Sequence, residues 1–443
     1  MKFGGTSLGT PQRIKTVADL VIARLERKPM VVLSAFSGVT NALLQSARDA
    51  YDGKVDVLPL IRRHREACEE LGVDKDLVTP LLLELKDLLK GISLVRELTP
   101  RSLDFVASFG ERCSTRIVAE YFRVGRKVKA RAYDAWDLGL VTDDHFTSAS
   151  PLPDYEKMMR PKIDELPADE IPIVTGFVAK NRAGEITTVG RNGSDFSASI
   201  FGAATRAEEV QIWTDVDGVL TADPSLVKDA RPIDVMTYHE AAELAYYGAK
   251  VLHPATLAPA VKRDIPVLVL NTMHPEAPGT RIVAQRTPAE AEAAGPVQSI
   301  VYKENQILLQ ITSPRMLMQY GFMARVFEIL ARHEVVINMI VTSEVTISMT
   351  TDSMKGLNEA LGELRNHSDA TIETGKAIVG VVGQNIRETR GIGAQILTVM
   401  RDAGVNVEMI SMGASKVNFT FLIDNSGIRN AVQALHDKLF PKG

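Results

Sequence analysis

Over the first two-thirds of the chain, short β-branched runs alternate with longer stretches of helical periodicity, the pattern of a layered α/β domain. Met30-Val31-Val32-Leu33 reads as a buried strand, as do 171–174, 210–213 and 266–270. Between them, apolar residues recur at three- and four-residue steps. Ile14, Val17, Ala18, Val21 and Leu25 predict one such helix, opened by Thr10-Pro11 as N-cap and first residue. The stretch Pro80-Leu81-Leu82-Leu83 is soon broken by Glu84, Lys86 and Asp87, which predicts an amphipathic helix. No apolar run approaches the ~20 residues that a bilayer requires.

A Pro- and Ala-rich stretch over 285–296 reads as a linker or domain edge. An internal repeat follows. Gly321-Phe322-Met323-Ala324-Arg325-Val326-Phe327-Glu328-Ile329-Leu330 leads into Val335-Val336-Ile337-Asn338-Met339-Ile340. Seventy positions later, Gly391-Ile392-Gly393-Ala394-Gln395-Ile396-Leu397-Thr398-Val399-Met400 leads into Val405-Asn406-Val407-Glu408-Met409-Ile410. Each copy predicts an amphipathic helix, a tight turn and a strand, then a second strand at 345–350 or 417–423. Two copies are too few for a solenoid, so the pattern implies a pair of small α+β modules.

Composition narrows the class. The 443 residues are 45% hydrophobic and 24% charged, ordinary for a globular chain, and at the usual ~100–200 residues per domain they make about two to four domains. A net charge of −4 offers no general attraction to phosphate backbones or anionic lipid, so neither nucleic acid nor membrane is expected as a partner. Cys68 and Cys113 are too few for a disulfide framework and are not spaced as a metal site. Both are expected reduced, and with no signal-peptide core in the opening residues a cytoplasmic location is expected.

Four segments carry candidate chemistry. Lys2-Phe3-Gly4-Gly5-Thr6-Ser7 lies between a very short strand and the helix opened at Pro11. Paired glycines let backbone N–H groups approach a phosphate, the helix end favours negative charge, and Lys2 adds a mobile positive charge. A plain strand-to-helix turn has the same signature. Neither G-x-x-x-x-G-K-[ST] nor a third glycine after Gly391 and Gly393 is present. In Val189-Gly190-Arg191-Asn192-Gly193-Ser194-Asp195, an arginine at the turn can hold a carboxylate bidentately, while Asp195 at the helix start can cap it or face a ligand ammonium. Ser108-Phe109-Gly110-Glu111 sets a carboxylate beside a glycine ahead of a helical run. Ile212-Trp213-Thr214-Asp215 ends a strand, where a ligand of an open α/β sheet would sit. Singly, each also reads as an ordinary turn or cap. Asp215, Asp217 and Asp223 do not form a calcium loop, because Gly218 falls too early.

Together and in this order, these segments closely resemble aspartate kinases of the amino acid kinase family, over nearly the whole chain. Further matches are Leu33-Ser34-Ala35, Thr40-Asn41, Phe177, Gly248-Ala249-Lys250-Val251-Leu252-His253-Pro254-Ala255-Thr256 and Thr342-Ser343-Glu344-Val345. The resemblance implies an α/β fold: a three-layer αβα amino acid kinase sandwich over 1–285, then two α+β, ferredoxin-like ACT domains at 297–375 and 376–443. The segment 297–312 is able to pair with the second ACT sheet. The implied reaction moves the γ-phosphoryl of MgATP to the β-carboxylate of L-aspartate, giving 4-phospho-L-aspartate on the way to lysine, threonine and methionine. Its nucleophile is already ionised, so positioning and charge neutralisation suffice without a general base.

By motif position, the resemblance has Lys2 neutralise charge on the transferring phosphoryl and Asp195 order the site. ATP would meet Lys2, Phe3, Gly4 and Gly5 on one side and Thr214, Asp215, Lys250 and Val251 on the other. Arg191 would grip an aspartate carboxylate and Glu111 its ammonium, with Ser34 and Thr40 lining the pocket. His253 is expected to be structural, and neither a protein-held metal nor a tightly bound cofactor is expected beyond MgATP. The first ACT module most resembles lysine-inhibited, monofunctional members. Met316, Phe322, Met323, Ile337, Asn338, Thr342 and Ser343 fall in its effector stretches, with lysine or threonine as the expected effector. The Met316, Met318, Met323 group is also expected to pack within that module. ACT pairing across subunits implies a homodimer or larger homo-oligomer.

The chain departs from the family in places. Asn192 stands for a common glycine, Phe196 for a tyrosine, and Leu220 and Ser225 for a nucleotide-contacting tyrosine and arginine. Asn338 stands for an aspartate that could pair with a lysine ammonium. Two other readings stay open at this level: a non-catalytic amino-acid sensor on the same fold, and a same-fold kinase for another carboxylate.

Overall fold

The computed structural model of the chain describes residues 1–247, 254–316, 320–384, 386, 388–412 and 417–441. The chain divides into two compact units. Met1–Val219, Asp234–Tyr238 and Leu252–Gln285 make the first; Leu220–Ile233, His239–Val251 and Arg286–Gly443 make the second. The division is therefore not a single cut near residue 285: the second unit takes two segments from within the first two-thirds of the chain. No helix among the described residues is long and apolar enough to cross a membrane.

The first unit is built on an eight-stranded sheet. Its strands run in the order Ala130–Tyr133, Ile171–Thr175, Val31–Leu33, Lys2–Phe3, Val210–Thr214, Val267–Asn271, Thr280–Val283, Val235–Thr237. The first six are mutually parallel. Their continuous apolar runs suit a sheet covered on both faces. Phe3 and Trp213 stack at its centre, ring centroids 5.9 Å apart. Helices Pro11–Ile22, Val39–Tyr51, Leu58–Leu71, Thr79–Val95 and Pro100–Gly125 share one core with the sheet. Tyr155–Asp164, Gly193–Thr205 and Pro254–Lys262 pack together outside that core, completing three layers.

Topology puts a binding crevice in a definite place. The chain lays down Lys2–Phe3 first, adds Val31–Leu33 on one side, and much later adds Val210–Thr214 on the other. The strand order reverses at Lys2–Phe3, and ligands of open α/β sheets bind outside the carboxyl ends at such a point.

Several local expectations need correction. The helix opened by Thr10, whose Oγ1 accepts the Arg13 N–H at 3.3 Å, ends at Ile22. Leu25 lies instead in a separate 3-10 turn and is exposed, and Lys28 reverses the chain at φ +49°. The segment 108–111 does not precede a helix; it lies in the middle of Pro100–Gly125. The expected linker holds a short helix, Pro288–Ala293, opened by a capping box in which Thr287 and Glu290 each accept the other's backbone N–H.

The second unit has one antiparallel six-stranded sheet, ordered Met339–Thr342, Thr346–Thr351, Ser299–Thr312, Asp369–Val382, Asn418–Asp424, Met409–Ser411. Its two long strands each serve both repeats. Residues 307–312 pair with 346–351 and 308–312 with 369–373, while 299–303 pair with 378–382 and Gln306 with Lys376, across register shifts between Lys303 and Leu308. Helices Phe322–Arg332 and Leu357–Leu364 cover the first module; Ile392–Asp402 and Ile428–Leu439 cover the second. The first strand of each repeat starts at Met339 and Met409, four residues later than the apolar pattern suggests.

Candidate active site

The loops at the carboxyl ends of the parallel strands carry some of the residues singled out by sequence, namely Gly4, Gly5, Ser34 and Asp215. Lys2 sits in the central strand and is only 8% exposed. Its Nζ lies 2.6 Å from Asp195 Oδ1, so it is held and not mobile as its place beside a loop suggested. A Cβ on Gly4 would come within 3.2 Å of that Nζ, and one on Gly5 within 3.3 Å of the Ala35 carbonyl oxygen. Glycines here let the ammonium and the neighbouring loop close on the backbone. Ser7 ties the far end down, with its Oγ 2.7 Å from Thr272 Oγ1 and 3.3 Å from the Trp213 carbonyl oxygen.

Asp195 is the third residue of the helix Gly193–Thr205, which Asn192 opens without a side-chain cap. Its carboxylate faces Lys2 and does not cap the helix. Asn192 adopts φ +55°, a left-handed conformation that glycine takes freely and asparagine tolerates better than other side chains. The departure from a common glycine is thereby accommodated in the backbone.

Glu111 projects from mid-helix and is 2% exposed. The Ala35 N–H donates to its Oε1 at 3.1 Å, while Oε2 has no hydrogen-bond partner among the described residues. Burial pushes its pKa up to about 8, against the smaller opposing effect of that hydrogen bond. The helix comes close to the loop because Gly110 has no side chain: a Cβ there would lie 2.7 Å from Ala35 Cβ. Ser114 Oγ donates to the Ser34 carbonyl at 2.7 Å, and Ser34 Oγ lies 2.6 Å from Ser194 Oγ. Lys2, Asp195, Ser34 and Glu111 are thus joined through Ser194 and Ala35 into one polar string. Thr40, second in the helix Val39–Tyr51, is half-buried. Arg191 is exposed at the turn before Asn192. Sequence reasoning did not single out Ser194 or Ser114. A serine bonded to residues 160 or 80 positions away leaves no local signal.

On the other side of the central strand, Thr214 Oγ1 donates to Asp215 Oδ1 at 3.1 Å, and Asp215 is exposed. Asp217 Oδ1 accepts from Asn271 Nδ2 at 2.6 Å and lies 3.1 Å from His274 Nδ1. Lys250, Val251 and His253 lie outside the described residues. Leu220 and Ser225 belong to the second unit. There the Leu220 carbonyl accepts from Ser299 Oγ at 2.9 Å, and the Ser225 N–H donates to Asp223 Oδ1 at 2.8 Å.

The effector candidates all fall in the second unit. Met316, Phe322 and Ile337 pack against the first module's core, whereas Met323 is 40% exposed and does not share that packing. Met318 lies outside the described residues. Thr342 and Ser343 are exposed where Met339–Thr342 ends. Asn338 is turned inward: its Nδ2 donates to the buried Gln306 Oε1 at 2.7 Å, and its carbonyl accepts from the Tyr246 hydroxyl at 2.8 Å.

Known proteins sharing these features are numerous. A profile described as the amino acid kinase family matches residues 1–271, and an ACT domain profile matches 309–366 and 379–439. Aspartokinase 1, chloroplastic, of Arabidopsis thaliana is 41% identical over 463 residues, spanning 100% of this chain and 80% of that protein. Lysine-sensitive aspartokinase 3 of Escherichia coli (strain K12) is 35% identical over 458 residues, spanning 99% of this chain and 98% of the relative. Among solved structures, E. coli aspartokinase III in complex with aspartate and ADP (R-state) superposes with a TM-score of 0.79 at 32% identity, covering 99% of both chains.

Proposed function

We propose, because this chain belongs to the amino acid kinase family and within it to the aspartokinases, that it transfers the γ-phosphoryl group of ATP to the β-carboxylate of L-aspartate. A carboxylate oxygen attacks the γ-phosphorus, the bond to the β,γ-bridging oxygen breaks, and ADP leaves as 4-phospho-L-aspartate forms. Mg²⁺ enters with ATP as part of the substrate. The observation that carries this reading is the Lys2–Asp195 ion pair at the switch point, against glycines on which a phosphate can rest.

The proposed roles follow from charge and burial. Lys2 offsets charge on the transferring phosphoryl, and Asp195 keeps its ammonium aimed, so no reorganisation is needed at the moment of reaction. Phe3, Gly4 and Gly5 line the phosphate side, with Thr214, Asp215, Lys250 and Val251 opposite. Arg191 binds an aspartate carboxylate, while Ser34 and Thr40 shape the pocket. Glu111 receives the α-ammonium: a bound cation supplies the countercharge that the buried carboxyl lacks. Lysine or threonine acts through the first ACT module. Asn338 is neutral and already engaged with Gln306, so it offers a lysine ammonium no carboxylate. Tyr320, Phe327, Ile340 and Val345 are exposed on that module and suit pairing with a second copy in a homo-oligomer. Cys68 and Cys113 are buried and unbridged, in keeping with a reducing, cytoplasmic compartment. The product, 4-phospho-L-aspartate, would feed lysine, threonine and methionine formation at its first step.

The test is ATP-dependent trapping of acyl phosphate by hydroxylamine, comparing L-aspartate, L-glutamate and no acceptor, each with and without lysine and threonine. Hydroxamate from aspartate alone is expected. Its absence, with an amino acid still bound, would turn the chain into a sensor.

A further inference from the structure

Two guanidinium groups outside the expected set of site residues hold the two loops that meet at the reacting centre. Arg13, in the first turn of Pro11–Ile22, donates from Nη1 to the Thr6 carbonyl at 2.7 Å. That carbonyl already accepts the Gly9 N–H at 3.3 Å and belongs to the turn directly after Gly4-Gly5. Arg63, in the helix Leu58–Leu71, donates from Nη2 to the Ser37 carbonyl at 2.6 Å. Ser37 closes the loop that begins with Ser34.

The two anchored loops pack on each other with little room. A Cβ on Gly5 would lie 3.5 Å from Ser37 Cα, and one on Gly9 would lie 3.6 Å both from Ser37 Cβ and from Arg13 Nη1. Each loop is thus clamped by an arginine from a different helix, and each arginine takes a peptide oxygen as its partner rather than a carboxylate. A guanidinium bound to a neutral carbonyl keeps its full charge, so the clamp also adds positive field beside a phosphate-bearing substrate.

We propose that Arg13 and Arg63 are positioning residues for phosphoryl transfer: they fix the Gly4–Gly9 and Ser34–Gly38 loops against each other, and so set the distance between the transferred phosphoryl and the acceptor carboxylate. The inference rests on the kinase reading above. Misplacement of reacting groups by a fraction of an ångström to an ångström costs up to about 10²-fold in rate, which sets the scale of the effect.

The test is steady-state kinetics of the full chain and of Arg13→Met, Arg13→Lys, Arg63→Met and Arg63→Lys, with hydroxamate as product and a thermal melt for each. The Met variants are expected to lose about tenfold or more in kcat, with the aspartate KM changed less than about threefold. The Lys variants, which keep charge and most of the reach, should recover most of the loss. In the double Met variant the losses should be less than multiplicative, because both clamps act on one loop pair. Met variants within about twofold of wild type in kcat and both KM values overturn the assignment, as does a Lys variant no better than its Met counterpart at an unchanged melting midpoint. If a Met variant does not fold, the Gln variant at that position takes its place and is read by the same thresholds, because a short neutral amide cannot span the distance to the peptide oxygen. No hydroxamate from the wild-type chain overturns the kinase reading, and this assignment with it.

Discussion

Lys2 and Asp195 lie far apart in the first unit's sequence and meet at 2.6 Å in a nearly dry site. A charge pair of this kind is valuable to catalysis because its geometry is set before substrate arrives. Lys2→Ala should lower kcat by about 10²-fold or more, and Asp195→Asn should lower it with little change in either KM; a Lys2→Ala enzyme within threefold of wild type would refute the role. Arg191→Ala should chiefly raise the aspartate KM, so a pure loss of ATP affinity would contradict its assignment. Glu111 makes a separate prediction through pH. Burial raises its pKa from 4.5 to about 8, so the folded state holds a proton that the unfolded state releases. Stability from this group is fully present below pH 4.5 and is lost as pH rises through 8. Glu111→Gln, which cannot ionise, should therefore gain on wild type in melting midpoint between pH 5 and 8, and the gap should level off above. Parallel curves for the two proteins across that window would show that the carboxyl ionises freely.

At the scale of elements, the informative case is Pro100–Gly125. Ser108 and Gly110 read locally as punctuation, and the helix runs through them because its burial outweighs the ~1 kcal/mol intrinsic cost of a helical glycine. Packing then explains why glycine is there at all, since a Cβ at 110 would meet Ala35 Cβ at 2.7 Å. Gly110→Ala should cost about 1–3 kcal/mol in chemical denaturation, with the loss felt at the Ser34 loop as a raised aspartate KM. Asn192 offers a complementary test at a helix entry. Asn192→Gly should leave stability and kcat nearly unchanged, whereas Asn192→Val, forced to φ +55°, should cost about 1–3 kcal/mol. Equal stability of the valine and glycine variants would mean that the turn relaxes away from the left-handed region.

For the whole molecule, the second unit's claim on 220–233 and 239–251 has consequences. Ala222 and Val227 lie in the core of the second module, among Val297, Ile300, Val379 and Phe421. Glu240 and Arg286 form a bidentate pair that is almost fully buried, and Gln384 accepts from Arg286 and donates its N–H to Glu240. Removing one partner leaves a buried charge, so Arg286→Met should destabilise the unit by about 3–5 kcal/mol. A fragment ending at residue 285 loses Arg286 and that core together. It should show no cooperative melt matching the full chain, and a sharp transition at the full-length midpoint would prove it an independent body.

The alternation of strand and helix, the helix caps at Thr10 and the glycine loop after Lys2–Phe3 were legible in sequence because each depends on local periodicity or local backbone chemistry. The repeat after residue 296 was legible for the same reason, and the family resemblance rested on motifs that are themselves short and contiguous. What folding decided was how distant positions meet: the reversal of strand order at Lys2–Phe3, the Lys2–Asp195 and Ser34–Ser194 contacts, the elevated pKa of Glu111, and the place of Asp369–Val382 as a second strand common to both modules beside the 299–312 strand. Hydrophobic pattern specifies which face of an element is buried, but not which element covers it. Electrostatic character depends on that cover, because a carboxyl's charge state follows from the solvent and partners left to it once the chain has closed.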